Sequence, residues 1–229
     1  MNSRAQILEK IKGSLRKKRT VHTSDEERKQ IVFNRISQHP RGIIPERTAL
    51  SEQDTLLHFC EKVEASEGTY KVVKSYAKAA NEILDFLRQH NLPQSVRMGT
   101  DKRLMKLVWE NEPPELQIGP SDGLDLVCVS HAQGGVSETG TLVMTSGPEN
   151  PTSLNFLPET HIILVHKKDL QKSYEDSWTA LRRRYGKEKL PRTINMITGP
   201  SRSADIEQTL ILGAHGPLRL HVIIITGKK

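Results

Sequence analysis

The amino-terminal 48 positions carry apolar residues at helical spacing. Residues 3–19 are predicted to form an amphipathic helix with four apolar residues on one side, namely Ile7, Leu8, Ile11 and Leu15. Ser24 opens the capping-box sequence SDEE, so we expect a second helix to begin there. Residues 39–48, HPRGIIPERT, hold two prolines and a glycine, a composition typical of a linker. The pattern therefore predicts a helical arm over residues 1–48 and a separate domain over residues 49–229.

The domain after residue 48 alternates between helical and strand patterns. Helices are predicted from a cap at Ser51 onward and over residues 75–90, 101–109 and 170–185. Strands are predicted over residues 70–73, 96–98, 124–129, 141–145, 162–165, 194–197 and 220–226. The last of these, LHVIIIT, is apolar at almost every position, which suits a strand buried on both faces of a parallel sheet. We therefore expect an α/β fold with a mostly parallel sheet flanked by helices, and functional loops at the carboxyl ends of strands.

The net charge of +7 is placed unevenly along the chain. Residues 1–30 hold nine Lys and Arg against four Asp and Glu, so most of the positive excess lies in the arm. The body is close to neutral, and the chain has only four Phe, four Tyr and two Trp, which argues against a nucleic-acid-binding surface. A basic amphipathic helix can pack on its own domain, join copies into a homo-oligomer, dock a partner or lie on a membrane surface, and the sequence leaves these open.

The chain lacks the sequence features of a membrane or secreted protein. No apolar stretch approaches the ~20 residues that a membrane helix needs, and residues 1–20 lack the apolar core of a signal peptide. We therefore expect a cytoplasmic protein without a transmembrane segment. Cys60 and Cys128 stand in apolar surroundings and are expected to be reduced core residues. An iron-sulfur cluster takes about four thiolates, so we expect this chain to hold no cluster, and no other metal or cofactor, by itself.

A short glycine-rich motif, GGVSETGT at residues 134–141, surrounds a single glutamate, Glu138. Glycines permit close approach of a ligand or of another backbone, while Thr139, Gly140 and Thr141 supply hydroxyls and amides beside the carboxylate. A carboxylate in such a place can act as a nucleophile, as a base or as an acceptor for a hydroxyl. It can equally satisfy backbone amides in a turn between two strands, and the motif alone leaves both interpretations open.

A second candidate segment follows the predicted strand over residues 194–197. The sequence TGPSRSADIE there suits an anion-binding loop, because it offers free amides and one guanidinium. Its candidate ligand-binding residues are Ser201, Arg202, Asp205 and Glu207. The alternative is the start of a helix, with Ser203 as its N-cap and the two acidic residues in its first turn.

The histidines offer one further candidate. His161 and His166 flank a predicted strand at odd spacing, so they should point to opposite faces and not share a metal. His215 stands in the turn sequence GAHGP and is the histidine best placed for a role in a polar site, although a structural hydrogen bond is the more common use of such a residue. The sequence has no HExxH, CxxC or GxSxG motif to indicate a zinc protease, thiol-redox or hydrolase mechanism.

Three stretches resemble the LUD-domain family, in particular its LutC/YkgG type of lactate-utilization proteins: VSETGTLVM, PTSLNFLPETHIILV and GPSRSADIEQTLILGAHGPLRLHVIII. The resemblance covers roughly residues 50–226 and adds Asn155 as a ligand-binding position. It implies the fold shared by NagB, ribose-phosphate isomerase and CoA transferases. It also implies a role in oxidising L-lactate to pyruvate, beside a LutB-like iron-sulfur protein, which would carry the clusters, and a LutA-like cysteine-rich protein.

The same resemblance bears on Glu138. In related CoA transferases a glutamate in a Ser-Glu-Asn-Gly tetrad takes the acyl group, and residues 137–140 read Ser-Glu-Thr-Gly. A stand-alone acyl or CoA transferase, or a sugar-phosphate isomerase, is therefore one alternative to a lactate-oxidation subunit, and a non-catalytic assembly or regulatory subunit is another. The leading hypothesis places a small carboxylate or an anionic cofactor group between the loops at 138–141 and 201–207, with its anion on Arg202 and with His215 nearby.

Overall fold

The structure is a computed structural model that describes residues 3–17, 24–186, 189–206 and 209–227. Its contacts divide the chain into two units, Met1–Ile43 and Ile44–Lys229. The division lies a few residues ahead of residue 48, where the sequence suggested the end of the arm, and Thr48 is already buried. No helix among the described residues combines the length and the apolar character needed to cross a membrane.

The first unit contains two helices, α1 over Ser3–Lys17 and α2 over Asp25–Gln38. The predicted capping box is present, because the Ser24 hydroxyl accepts from the Glu27 amide at 3.1 Å and the Glu27 carboxylate accepts from the Ser24 amide at 2.7 Å. The apolar side chains of both helices are exposed: Ile7, Leu8, Ile11, Leu15, Ile31, Val32, Phe33 and Ile36. The described apolar side chains of the two helices therefore form no buried core, and α2 is stabilised by its capping box.

The second unit alternates helices and strands over most of its length. In chain order its elements are α3 (Glu52–Ala65), β1 (Thr69–Val73), α4 (Tyr76–Gln89), β2 (Ser95–Met98), β3 (Glu115–Ile118), β4 (Val127–His131), β5 (Gly134–Val136), β6 (Thr141–Thr145), β7 (Thr160–His166), β8 (Leu170–Gln171), α5 (Tyr174–Tyr185), β9 (Ile194–Ile197), β10 (Arg202–Ile206), β11 (Thr209–Leu212) and β12 (Arg219–Ile225). Short 3-10 helices occupy Glu46–Thr48, Leu104–Lys106, Thr152–Asn155 and Lys167–Asp169.

Six strands form the main sheet in the order β1-β12-β7-β4-β2-β3, and every neighbouring pair is parallel. All six carboxyl ends therefore lie at one edge of the sheet, which we call the carboxyl edge, and all six amino ends lie at the amino edge. The mostly parallel sheet that the apolar runs predicted is confirmed.

The central strand β12 shows why this sheet needs helices on both faces. Ile223 and Ile225 pack with α4 residues such as Ile83 on one face, and Val222 and Ile224 pack with α3 on the other. Successive side chains of a strand point to opposite faces, so an unbroken apolar run buries both. The prediction for LHVIIIT is confirmed, and the same alternation places His161 and His166 of β7 on opposite faces, as their odd spacing indicated.

A second, smaller sheet was not predicted. Its order is β8-β5-β6-β9, and β5-β6 and β6-β9 are antiparallel pairs. Leu142 and Met144 of β6 face the core beside α3, while Val143 faces α5 beside Leu181 and Trp178. The strand patterns over 141–145 and 194–197 had the right bounds, but those strands belong to this sheet, because a hairpin returns the chain after β5.

Several predicted elements differ from the structure. The helix predicted over residues 101–109 is wrong, because only the 3-10 turn Leu104–Lys106 forms there. The Asp101 carboxylate accepts from the amide of Arg103 at 2.9 Å, a local bond that competes with helix formation. The Arg103 guanidinium donates to the carbonyl oxygen of Ala132 at 2.8 Å, which holds this segment against the carboxyl edge of the sheet.

Two predicted boundaries and one further predicted helix also need correction. The helix predicted over 170–185 begins only at Tyr174, because Leu170–Gln171 pairs as a strand with β5 and Ser173 then caps the helix. The strand predicted from residue 124 begins at Val127, and Leu124 itself is exposed. The helix considered for Ser203 is wrong, because Arg202–Ile206 is a strand paired with β11.

Candidate functional site

A cavity of about 260 Å³ opens at the amino edge of the main sheet, and we call it the amino-edge cavity. It lies between the loop after β9, the turn before β12 and the start of β7. Its lining residues are Asn155, Phe156, His161, Met196, Ile197, Gly199, Pro200, Ser201, Arg202, His215, Gly216, Pro217 and Leu220. Asn155, Ser201, Arg202 and His215, which the sequence had selected as ligand-binding residues in three separate segments, thus line one cavity.

The loop after β9 is fixed in place by a glycine and a serine. Gly199 has a φ of +71°, and a Cβ there would collide with the carbonyl oxygen of Ser66 at the end of α3. Only glycine suits a backbone that is both left-handed and this close to another chain segment. Ser201 then secures the opposite turn, because its hydroxyl accepts from the His215 amide at 3.2 Å and its amide donates to the Pro217 carbonyl at 2.8 Å.

Two buried polar side chains on the cavity wall have unused hydrogen-bonding groups. Asn155 is 1% exposed and His161 is fully buried. The amide oxygen and nitrogen of Asn155 and both ring nitrogens of His161 have no hydrogen-bond partner among the described residues. A buried polar group without a partner costs about 1–3 kcal/mol, so four such atoms at one cavity indicate that something polar binds there.

His161 is uncharged in this position. Burial alone lowers its pKa to about 3, so the ring is neutral at physiological pH. A neutral imidazole offers one N–H donor and one acceptor, and an asparagine amide offers two donors and a carbonyl acceptor. The cavity wall can therefore recognise a ligand that both donates and accepts hydrogen bonds, while Asn155 and His161 carry no charge themselves.

Among the described lining residues of the amino-edge cavity, Arg202 at the rim carries the positive charge. The Arg202 guanidinium lies 3.6 Å from the Glu67 carboxylate, and both side chains are partly exposed. An exposed pair at this distance contributes little, so an anionic ligand can replace Glu67 as the partner of Arg202 at small cost. His215 is exposed beside it.

Glu138 lies outside the amino-edge cavity. It stands in the turn between β5 and β6, where its carboxylate, only 6% exposed, accepts from the guanidinium of Arg47 at 2.6 Å. Its own amide donates to the Lys172 carbonyl at 3.2 Å. A carboxylate held by a guanidinium is stabilised as the anion and is less available as a nucleophile. The acyl transferase and isomerase alternatives, which depend on Glu138, stay predictions.

The residues that follow Glu138 stabilise the second sheet by packing and by hydrogen bonds. The Thr141 hydroxyl bonds to three other hydroxyls, those of Thr139 at 2.6 Å, Tyr174 at 2.9 Å and Thr198 at 2.6 Å. Gly140 has a φ of +68°, and a Cβ there would lie 2.6 Å from the Lys62 carbonyl carbon in α3. The two loops of the hypothesised pocket therefore meet at Thr141 and Thr198, but residues 138–141 do not line the cavity.

Two candidate residues of the second segment fall where little is described. Asp205 lies within β10, and nothing of its side chain is described, while Glu207 lies outside the described residues. His161, conversely, was noticed in the sequence only as a flank of a strand. The available signal was an imidazole at the second position of a strand that is otherwise almost entirely apolar, THIILVH.

A second polar cluster closes the carboxyl edge at the ends of β2 and β4. The His131 ring donates to the Ala132 carbonyl at 2.8 Å and accepts from the Tyr76 hydroxyl at 3.2 Å. Burial and the neighbouring Arg103 lower the pKa of His131 to about 4. Asp101 is also buried, which raises its pKa, but the bonds and charge of Arg103 outweigh burial and the net shift is downward. The atoms of His131 are thus satisfied within the fold, in contrast to those of His161.

The cysteines and possible metal ligands complete the inventory. Cys60 and Cys128 are free and buried, and burial raises their pKa values to about 11 and about 12, with Glu64 also acting on Cys60. Within the described ranges, no group of three or more His, Cys, Asp and Glu side chains is placed to hold a metal ion. Both thiols are therefore protonated core groups.

Comparison with known proteins shows that part of the chain is similar to a protein family. Residues 125–225, which include β4 to β12 and hence most of the amino-edge cavity, match the family model described as the LUD domain. This region of the chain is similar to the LUD domain. The matched residues span the strands that meet at the cavity and all the candidate residues proposed from the sequence.

Individual relatives extend the similarity. The chain is 31% identical to lactate utilization protein C of Shouchella clausii over 53% of its own length and 52% of that protein, and 28% identical to the uncharacterized protein YkgG of Escherichia coli over 75% of each. The chain thus spans about half the length of the first of these. A crystal structure of a DUF162 family protein from Deinococcus radiodurans shares the fold, with a TM-score of 0.58, 17% identity, and coverage of 77% of this chain and 99% of that one.

Proposed function

We propose that this LUD-domain protein acts in lactate utilization and binds a small 2-hydroxy or 2-oxo acid in the amino-edge cavity. The name of the Shouchella relative, lactate utilization protein C, supports a role in this process. The four unpartnered atoms of Asn155 and His161 carry the assignment of the site. A volume of about 260 Å³ is below the range typical for drug-sized ligands, which favours a ligand of a few heavy atoms.

The chemistry of lactate and pyruvate matches this wall. The 2-hydroxyl of lactate can donate to the carbonyl of Asn155 or to the free nitrogen of His161, and its carboxylate can accept from the amide and ring N–H groups. Arg202 at the rim can supply the opposite charge in a bidentate pair. The binding energy would then come from satisfying groups that are already buried, so little reorganisation is needed.

Oxidation of L-lactate to pyruvate releases an electron pair and two protons, which need an acceptor. The two cysteines of the chain are too few for an iron-sulfur cluster, which takes about four thiolates. We propose that a LutB-like iron-sulfur protein accepts the electrons and that a LutA-like cysteine-rich protein completes the assembly, while this chain holds the organic acid. The exposed apolar faces of α1 and α2 are surfaces available for that assembly.

A pair of asparagine variants tests the site. In Asn155→Leu, a side chain of similar volume removes unpartnered buried groups, so the free protein should melt at the same or a higher temperature while affinity for L-lactate falls at least tenfold. The matched control is Asn150→Leu, because Asn150 is also buried but donates to the Thr145 carbonyl at 3.0 Å. That variant should melt lower and keep its affinity.

The measurements are calorimetric titration with L-lactate, pyruvate and acetate, together with thermal denaturation. Acetate lacks the oxygen at the 2-position and should bind at least tenfold more weakly. If Asn155→Leu bound L-lactate as well as the unmodified chain does, the site assignment would be wrong. If the acids bound normally but the chain failed to co-purify with an iron-sulfur protein, read by visible absorbance, the proposed partners would be wrong.

A further inference from the structure

A larger cavity than the amino-edge cavity lies at the opposite end of the sheet, just beyond the carboxyl ends of β7 and β12. Its volume is about 690 Å³, and we call it the carboxyl-edge cavity. The first turn of α3, the segment from Lys167 to Lys172 and Thr226 enclose it. Parallel α/β sheets hold ligands outside the carboxyl ends of their strands, where loops rather than paired strands supply the side chains. None of the candidate residues whose side chains the structure describes lines this space.

Three lysines give one wall of the carboxyl-edge cavity its positive charge: Lys167, Lys168 and Lys172. Among the described residues, Lys71 and Lys78 are the lysines that form ion pairs. The three lysines of this wall are therefore not directly paired with a carboxylate. The short 3-10 helix Lys167–Asp169 is anchored to the sheet, because the Lys168 amide donates to the buried ring of His166 at 3.1 Å. That ring is held in turn by the Gly227 carbonyl at 2.7 Å. The backbone that carries Lys167 and Lys168 is thus held against the sheet.

The remaining wall has a different chemistry. Glu52 and Asp176 contribute carboxylates, and Leu56 and Leu170 contribute an apolar surface. The Asp176 carboxylate already accepts from Ser173 at 2.7 Å, so its acceptor capacity is shared. A ligand with negative charges for the lysines, an apolar part for the leucines and hydroxyl donors for the carboxylates would match this lining.

We propose that the carboxyl-edge cavity binds a nucleoside diphosphate or a ligand built on one. Its two phosphates would lie on the three lysines, which bind phosphate as point charges. Its base would lie on the two leucines, and its ribose hydroxyls would donate to the carboxylates. The volume lies within the range typical of cofactor and small-molecule sites. This site is separate from the amino-edge cavity and does not depend on the function proposed for it.

Titration of the full chain with adenosine diphosphate tests the proposal, with adenosine and inorganic phosphate as partial probes. Adenosine diphosphate should bind with a Kd below ~1 mM, and each partial probe at least tenfold more weakly, because neither can use both walls. In Lys168→Gln/Lys172→Gln the affinity for adenosine diphosphate should fall about a hundredfold, roughly tenfold for each lost charge pair. Lys168→Arg/Lys172→Arg keeps the charges and should stay within about threefold of the unmodified chain.

The matched control is Lys102→Gln/Lys106→Gln, which removes the same charge from two exposed lysines that do not line the cavity. This control should bind as the unmodified chain does. Equal losses in both double variants would mean that adenosine diphosphate binds through general surface charge, and the proposal would be wrong. It would also be wrong if adenosine bound as well as adenosine diphosphate did, or if none of the three probes bound. L-lactate binding should be unchanged in the lysine variants, so this test can fail independently of the proposed lactate site.

Discussion

The two ends of the main sheet hold cavities with opposite chemistry. At the amino edge two buried neutral side chains, Asn155 and His161, present unpaired groups, and Arg202 lies at the rim. At the carboxyl edge three lysines line the cavity, of which Lys168 is exposed and Lys167 and Lys172 are half-buried. Buried neutral groups select a ligand by the match of donors and acceptors, whereas lysine charges select mainly by total charge. Under the two proposals above, one sheet would serve two ligand classes, one at each edge.

Acid should destabilise the fold strongly, through histidines placed at both edges. Burial, as the largest cause, lowers the pKa of His131 to about 4, of His161 to about 3 and of His221 to about 4. Each ring is neutral in the fold, whereas the unfolded chain takes up protons below a pKa of about 6.5. The free energy of unfolding should thus have its full value above pH ~6.5. Below that pH it should fall by up to ~1.4 kcal/mol per pH unit for each histidine, down to pH ~4.

Urea denaturation near pH 7, 6 and 5 measures this dependence. His161→Leu removes the contribution of the amino-edge histidine. The slope of the unfolding free energy against pH should then decrease by about a third, because one of three comparable groups is deleted. His131→Leu removes the carboxyl-edge share with a similar flattening, but it also breaks the bond to Tyr76 and should lower stability at every pH. A free energy that stayed constant between pH 6.5 and 5 would contradict the burial of all three rings.

Gly199→Ala should break the amino-edge cavity selectively. The new methyl group would meet the Ser66 carbonyl on a backbone with positive φ, so we expect a loss of about 3 kcal/mol in the free energy of unfolding. Gly147→Ala is the control, because nothing lies within 4 Å of its Cβ. Chemical denaturation measures both. If Gly199→Ala kept lactate affinity and stability, the loop after β9 would not be held as described.

Salt should separate the two cavities. Between about 0.05 M and 0.5 M monovalent salt, affinity for adenosine diphosphate should fall about tenfold, because solvated lysine charges are screened. Affinity for L-lactate should fall less than about threefold, since most of its contacts would be to buried neutral groups. Calorimetric titration at both salt concentrations gives the two ratios. A larger salt effect on L-lactate than on adenosine diphosphate would reverse the assignment of ligand classes.

The smallest effect concerns the ion pair in the turn between β5 and β6. Arg47→Ala leaves the buried carboxylate of Glu138 without its partner and should cost about 1 kcal/mol of unfolding free energy. Glu138→Gln removes the charge together with the need for a partner and should cost less, because Arg47 is 64% exposed and returns to water. Thermal denaturation of the two variants gives the order. The reverse order would mean that Glu138 is not held mainly by Arg47.

The parts of the fold set by local pattern could be predicted from the sequence. The capping serines Ser24 and Ser51 marked helix starts, and the unbroken apolar run of β12 marked a strand buried on both faces. The second sheet could not be predicted, because Thr141–Thr145 and Ile194–Ile197 read as strands whichever sheet they join. Partner choice depends on the hairpin after β5 and on close packing at Gly140, which are tertiary facts.

The candidate site was predictable in part for the same reason. Ser201, Arg202 and His215 stand in a glycine-rich segment after a strand, which local sequence indicates. Their meeting with Asn155 could be expected only from the family resemblance, since 46 residues separate Asn155 from Ser201. The sequence did not indicate His161 as a binding residue, because its candidacy rests on ring nitrogens without a hydrogen-bond partner, and only a structure reveals these. The sequence allowed Glu138 to be either a reactive carboxylate or a turn residue, and only the position of Arg47 shows how its carboxylate is engaged.

Strand β7 connects the two cavities directly, with His161 near its first residue and Lys167 just past its last. At about 3.3 Å per residue these positions lie ~20 Å apart along a straight, buried strand. Ligands in the two cavities could therefore not touch, and no atom or hydride could pass between them in one step. Any exchange would need a third molecule or a longitudinal shift of β7. Since β7 is hydrogen-bonded to β12 and β4 on both sides, such a shift would disrupt the centre of the sheet, and the two binding events should be energetically independent.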